Sequence, residues 1–328
     1  MRMVRFGRLG GPEVLQFEYA ELADPGRGQL QIEVKAIGLN RAEALMRAGS
    51  YIQQPSLPAG LGLEAAGIVT RLGEGVDGFV PGEAVSVIPA TVMAEWPTYA
   101  EYINVPVERV VAHPPNLTWE EAAAAWMQYL TAYGALIQVG NLQAGEAVAI
   151  TAASSSVGLA AIQIANALGA LTVACTRKNS KRQALLDAGA THVIVTESED
   201  LASRLKEIVG EVGVKLVLDP IGGPIFEPLV EAMGRGGMLI EYGGLSGQPT
   251  PFPLPKVLAK SLTLRGYLVH EVIADPEHLA VAKRYILDGM ASGALRPILA
   301  RTFPFEHIVE AHRYLESNAQ VGKIVVTV

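Results

Sequence analysis

A single cysteine, Cys175, in 328 residues excludes an internal disulfide and any thiolate-rich zinc site. Such sparse usage is ordinary in the reducing cytosol, so a cytoplasmic location is expected. The chain also lacks any uninterrupted apolar stretch of about 18 residues that could span a bilayer, and its opening "MRMVRFGRLGGPEVLQ" has no secretory apolar core. No membrane association is expected. Basic residues are outnumbered, 26 Lys and Arg against 33 Asp and Glu, and form no run. A net charge of −7 without a basic patch gives nucleic acid no electrostatic footprint. Repeats and low-complexity tracts are missing too. What remains is an apolar fraction of 50% in a chain long enough to bury two separate cores.

Up to about Asn116 the sequence reads as short apolar runs, "LQIEVKAIGLN", "AAGIVTRLG" and "EAVSVIPA", bounded by Gly and Pro. That pattern predicts an antiparallel β domain. Thr118 then opens "TWEEAAAAWMQYLTAYGAL", with Glu121 three positions on, which predicts a capped, long Ala-rich helix and a boundary near residue 118. Beyond it strands alternate with helices: "AVAIT", "LTVAC", "HVIVT", "KLVLD", "GMLIEYG" and "LTLRGYL", with helices starting near Val157, Ser180, Asp200 and Pro224. Strands apolar on both faces belong in a parallel sheet covered by helices on each side, a doubly wound α/β unit. The expected ranges are 1–117, 118–268 and a return of 269–328 to the first domain.

Within the second range, "VAITAASSSVGLAAIQIANALGA" (148–170) has the layout of a phosphate site: apolar strand, tight turn, and a helix whose unpaired N–H groups carry partial positive charge. Ala153, Ser155 and Gly158 stand at the three usual glycine positions of a dinucleotide loop, so only one is glycine. The serines are expected to be a polar substitute for glycine, each adding one small donor-bearing group; a plain β–turn–helix junction with serine caps is the alternative. The strand that follows supplies a second test, because dinucleotide folds end it with an acid for a ribose hydroxyl or with cations for a ribose phosphate. "TVACTRKNSKRQALLDAGA" has no acid between Leu171 and Leu186 but has Arg177, Lys178, Lys181 and Arg182, which points to NADPH; the alternative is the solvated start of a helix.

The stretches "GGPEVLQ", "VKAIGLNRAEALMRAGSY", "LPAGLGLEAAGIVTRLGEGV", "LTAYGAL", "SSSVG", "KRQALLDAGA", "LVLDPIGG" and "VGKIVV", in this order along essentially the whole chain, resemble the zinc-independent medium-chain dehydrogenases/reductases, close to the NADPH-dependent quinone oxidoreductases. The resemblance implies a GroES-like β-rich catalytic domain, a Rossmann domain with a six-stranded parallel sheet, and a homodimer joined through Rossmann sheet edges. It also implies an interdomain cleft for NADPH. The positions matched to the catalytic zinc ligands of related alcohol dehydrogenases are Asn40, Leu63 and Met127, and Leu cannot ligate a metal. Glu64 stands where zinc enzymes keep a glutamate, and is expected as a buried carboxylate satisfied by backbone or Arg. No metal is expected.

Without a Lewis acid, hydride is accepted most readily by a conjugated carbon, which makes quinones and α,β-unsaturated carbonyls the expected substrates. By resemblance Asn40 and Tyr51 line the catalytic cleft. Tyr51 is the candidate proton donor, with a packing role and protonation by water as the alternative; Asn40 orients substrate or the cofactor ribose. The implied cofactor contacts are Asn40, Thr131, Ser155, Ser156, Val157, Arg177, Lys181, Gly243 and Lys323, with Lys181 at the 2′-phosphate. Trp126 and Tyr129 either wall the pocket or belong to the core. Thr196 stands where the family often has a tyrosine. A protein that binds NADPH without turnover, in a structural or sensory role, is the rival from another class.

Overall fold

The computed structural model describes residues 1–328. The chain divides into two compact units, Met1–Met127 with Leu287–Val328, and Gln128–Ile286. The sequence ranges given above place both joins earlier in the chain.

The first unit is built on β1 (Arg2–Phe6), β2 (Leu15–Tyr19), β3 (Gln29–Gly38), β4 (Ala59–Gly60), β5 (Glu64–Leu72), β6 (Ala84–Val87), β7 (Tyr102–Pro106) and β8 (Val110–Ala112). Helices α1 (Arg41–Ala48) and α2 (Trp119–Ala123) belong to it as well. The run "LQIEVKAIG" becomes the long strand β3, which pairs antiparallel with β5 on one side and with β7 and the later strand β16 (Lys323–Thr327) on the other. β15 (Leu299–Pro304) extends the sheet parallel to β16, giving the order β15-β16-β3-β5-β6-β8 with β7 beside β3. A smaller sheet has the order β2-β1-β4. Leu30, Ile32, Ile37, Leu61, Val85, Val105 and Val326 are among the fully buried residues of its core, each worth roughly 1.5–3 kcal/mol when removed from water. Helix α11 (Ile308–Glu316) covers part of this core through Ile308, Ala311 and Leu315.

The second unit carries β9 (Ala147–Ile150), β10 (Leu171–Thr176), β11 (His192–Val195), β12 (Val214–Asp219), β13 (Met233–Glu241) and β14 (Thr263–Gly266). They form one parallel sheet in the order β11-β10-β9-β12-β13-β14, the doubly wound order. Each expected apolar run became one of these strands, and α4 (Ser156–Ala167), α5 (Arg182–Asp187), α6 (Leu201–Val209) and α7 (Phe226–Ala232) start within two residues of the expected points. Helices α8 (Leu254–Lys260), α9 (His270–Ile273) and α10 (Pro276–Ser292) follow. No helix is long and apolar enough to cross a membrane.

The long helix expected from Thr118 is two helices. Thr118 does cap α2, accepting from Glu121 N at 3.3 Å while the Glu121 carboxylate accepts from Thr118 N at 3.0 Å. The run then breaks at Ala124 and resumes as α3 (Trp126–Tyr133). A continuous helix would aim Met127 N–H at Ala123 O. It donates instead to Glu64 Oε2 at 2.9 Å. Alanine's helix propensity, a few tenths of a kcal/mol per residue over its neighbours, loses to a charge-assisted hydrogen bond on a buried carboxylate.

Candidate active and cofactor-binding sites

Asn40 precedes α1 at its N-cap position, where Glu43 Oε2 accepts from Asn40 N at 2.7 Å. The Asn40 side chain is nearly buried: Nδ2 lies 3.2 Å from both Gly38 O and Glu64 Oε1, and Oδ1 accepts from Lys323 Nζ at 2.6 Å. Lys323 also donates to Glu64 Oε1. Glu64 is therefore a buried carboxylate satisfied by backbone, as expected, but its cationic partner is lysine rather than arginine. The three positions matched to zinc ligands meet around it, since Asn40 and Met127 both donate to Glu64 and Leu63 precedes it. An amide, an alkyl chain and a thioether are not among the usual ligands of zinc. Nowhere do three or more His, Cys, Asp or Glu side chains gather as a metal-ligating group.

Glu43 anchors a second buried chain that the sequence reading missed. It accepts from Tyr99 Oη at 2.6 Å and from Leu63 N at 3.0 Å. Tyr99 Oη lies 3.1 Å from His312 Nε2, whose Nδ1 lies 2.9 Å from Arg47 Nη1. A guanidinium only donates, so Nδ1 accepts, and the neutral ring carries its hydrogen on Nε2 and donates it to Tyr99. Burial, reinforced by Arg47 and Arg41, pushes the His312 pKa down to about 3, which keeps it in that neutral form. Arg47 closes the chain on Glu316 at 2.5 Å. Burial pushes Glu43 up to about 7 against the donors around it. The one local signal was the Asn40-x-x-Glu43 spacing of a capping box.

Tyr51 follows α1, partly buried against the core of the same unit. Its hydroxyl pKa is raised, by burial first and then by the nearby Glu43 charge, so it keeps its proton at neutral pH. Trp126 and Tyr129 are fully buried, and Tyr129 Oη donates to Gln163 Oε1 at 2.6 Å; both are core residues rather than pocket walls.

In the second unit the loops after β9, β12 and β13 come together at the carboxyl end of the sheet, where open α/β folds bind ligands. Ser155 is the N-cap of α4 and its Oγ accepts from Gly158 N at 3.1 Å, with Ser156 and Val157 in the first turn. Of the three glycine positions only Gly158 needs glycine: a Cβ there would lie 2.5 Å from Ala153 O and 2.6 Å from Ala153 Cα. The serines thus order the turn, while the close approach of helix to strand rests on one residue. Lys181 Nζ donates to Ser154 Oγ at 3.1 Å, which brings the end of β10 against the serine loop. Its pKa is lowered by partial burial and by the charges of Arg177 and Lys178. Crowded cations of this kind gain from an anion between them. Gly243 follows β13 behind Tyr242, whose N donates to Asp219 O at 2.9 Å and whose side chain is hydrogen-bonded with Ser155. Thr131 is buried in α3, and Thr196, just past β11, donates from N to Thr176 O at the end of β10 at 2.8 Å.

Across the same end of the sheet, Asp219 and Glu241 pair on β12 and β13, and Thr151 directly follows β9. Asp219 accepts from Thr151 Oγ1, Ile221 N at 3.1 Å and Gly222 N at 2.9 Å. Both carboxyl oxygens of Glu241 are enclosed without a donor. Burial and the neighbouring Asp219 push its pKa up to about 9, so Glu241 stays protonated at neutral pH.

Residues 26–115 match the family model described as the alcohol dehydrogenase GroES-like domain, and residues 156–282 match zinc-binding dehydrogenase. Quinone oxidoreductase 1 of Escherichia coli (strain K12) is 35% identical over 322 residues, 97% of either chain. The crystal structure of Escherichia coli quinone oxidoreductase complexed with NADPH is similar over 100% of both chains, with a TM-score of 0.91 at 34% identity. JamJ enoyl reductase in its apo form is similar over 99% of this chain and 98% of its own, with a TM-score of 0.87 at 26% identity. On this likeness along nearly its full length, the chain belongs to the quinone oxidoreductase family of the medium-chain dehydrogenases/reductases.

Proposed function

We propose that the protein is an NADPH-dependent reductase that passes hydride, without a metal ion, to a quinone or to a carbon–carbon double bond conjugated with a carbonyl. The observation that carries this reading is the cationic cluster of Arg177, Lys178 and Lys181, of which Lys181 donates to Ser154, at a strand end that offers no acid to a ribose hydroxyl. NADPH, when bound, supplies the hydride. Arg177 and Lys181 grip its 2′-phosphate, and Ser155, Ser156 and Val157 bring the positive end of α4 to the pyrophosphate. Thr131 and Gly243 contact the nicotinamide half. The chain's relatives support the same cofactor and acceptor class, being a quinone oxidoreductase crystallised with NADPH and an enoyl reductase.

Tyr51 holds a proton through neutral pH and delivers it from Oη to the carbon or oxygen that reduction leaves negative. Asn40 orients the reacting partners. A conjugated acceptor spreads the arriving charge over its π system, so the amide, alkyl and thioether groups at Asn40, Leu63 and Met127 suffice where a simple ketone would need a Lewis acid. The exposed edge strand β14 supports a homodimer joined sheet edge to sheet edge.

The test is NADPH oxidation against quinones, 2-alkenals and enoyl thioesters, with metal analysis of the active protein. Turnover with stoichiometric zinc, or tight NADPH binding with no turnover on any acceptor, contradicts the reading. Tyr51→Phe is expected to lower enone turnover by about 10²-fold while sparing quinones, whose reduced oxygens take protons from water. Equal rates on enones would leave Tyr51 only a packing role.

A further inference from the structure

Lys323 stands at the start of β16 and is 1% exposed, and Glu64 at the start of β5 is 0% exposed. Residues of these types are almost never enclosed so completely unless paired. The cradle that allows it is Gly38: a Cβ there would lie 3.0 Å from both Lys323 Cε and Glu64 Oε1, and 2.2 Å from Ala123 O. An ammonium donates only, so the bond from Lys323 Nζ fixes which end of the Asn40 amide is oxygen. With Oδ1 turned to Lys323 and Nδ2 facing Gly38 O and Glu64, the amide has one orientation.

We propose that Lys323 is a positioning residue for this reductase: its enclosed ammonium, paired with the Glu64 carboxylate, holds the Asn40 amide in its working orientation. The inference rests on the reading of Asn40 as a contact of the reacting partners. It differs from a role for Lys323 on the cofactor phosphates, because its charge is already committed to Glu64 and Asn40.

Removing the ammonium alone strands a buried carboxylate, so the informative protein is Lys323→Met/Glu64→Gln, which removes both charges. Lys323→Arg keeps charge and donors. Melting temperature, the dissociation constants of NADPH and NADH, and kcat on a quinone are measured for each. The double variant is expected to melt close to the parent protein and to bind NADPH within threefold, yet to keep less than a tenth of kcat; Lys323→Arg is expected to keep at least three times the kcat of the double variant. A double variant that regains kcat along with stability reduces Lys323 to a structural counter-ion and overturns the proposal. So does a tenfold weaker NADPH complex with NADH unchanged, which would place Lys323 at the phosphate, or a Lys323→Arg protein no better than the double variant. Asn40→Ala separates the inference from the reading beneath it. Unchanged kcat there removes the role of Asn40 itself, whereas a lowered kcat beside a fully active double variant removes only that of Lys323.

Discussion

Replacing Glu241 by glutamine should make the protein's stability less sensitive to alkali. In the folded chain the Glu241 carboxyl is enclosed beside Asp219, with its pKa raised from 4.5 to about 9. In the unfolded chain it ionises normally. Folding therefore takes up a proton at any pH between the two values, and stability falls as pH rises through that window. Below about pH 4.5 Glu241 is neutral in both states and costs nothing; above about pH 9 the loss is complete. At 1.36 kcal/mol for each pKa unit the ceiling is about 6 kcal/mol. The residue is partly exposed and water screens the pair, so about 3 kcal/mol is the working figure. Glutamine stays neutral and can still donate to Asp219.

Urea unfolding followed by circular dichroism at pH 5, 7 and 9 measures the difference. The variant should match the parent protein near pH 5 and exceed it by about 3 kcal/mol near pH 9. The three tryptophans, Trp96, Trp119 and Trp126, all lie in the first unit, so their fluorescence serves as an internal control that the substitution should leave unmoved. A constant offset between the two proteins across this pH range would refute the raised pKa of Glu241.

Replacing Arg177 and Lys181 together with alanine removes two charge-assisted contacts of roughly 1.5–3 kcal/mol each, so NADPH should bind at least about 100-fold more weakly while NADH changes little. Calorimetric titration with both cofactors checks it, and equal losses contradict the phosphate assignment. Gly158→Ala puts a methyl group on the backbone of Ala153 and should destabilise the second unit by about 1–3 kcal/mol. In contrast to the double alanine variant, it should weaken NADPH and NADH alike; a fully stable variant with normal binding of both would show that α4 can shift away without consequence.

The second unit was legible because a parallel sheet covered on both faces writes each strand as an apolar run, and because Asp200 and Ser155 announce helix starts with side chains that fold onto their own backbone. Periodicity failed where a distant group intervened. Nothing local in "EEAAAAWMQ" tells that Met127 N–H will be taken by Glu64, 63 residues away in sequence. The candidate site was half legible for the same reason. Lys181 meets Ser154 across one βαβ connection, so the strand-end cations could be placed beside the loop from spacing alone. The contacts of Asn40 and Glu43 come from Lys323, Tyr99 and, through Tyr99, His312, none of which carries a short-range signal. The serine loop stood between the two cases: its position was readable, but whether the hydroxyls replaced glycine or capped a helix depended on the turn adopted, and Ser155 caps.

The strand that delivers Lys323 also dictates an order of assembly. β3 leaves the ribosome early, yet one of its flanks is completed only by β16, and the amide of Asn40 waits for a lysine 283 residues downstream. During synthesis the entire second unit emerges inside that gap and is free to fold on contacts of its own. Until the lysine arrives, the Glu64 carboxylate has no ammonium to neutralise it and gains by staying hydrated, which delays closure of the first unit's interior. A nascent chain halted between the two events would carry a finished second unit and a half-built first one, and would be the species most exposed to chaperones and proteases.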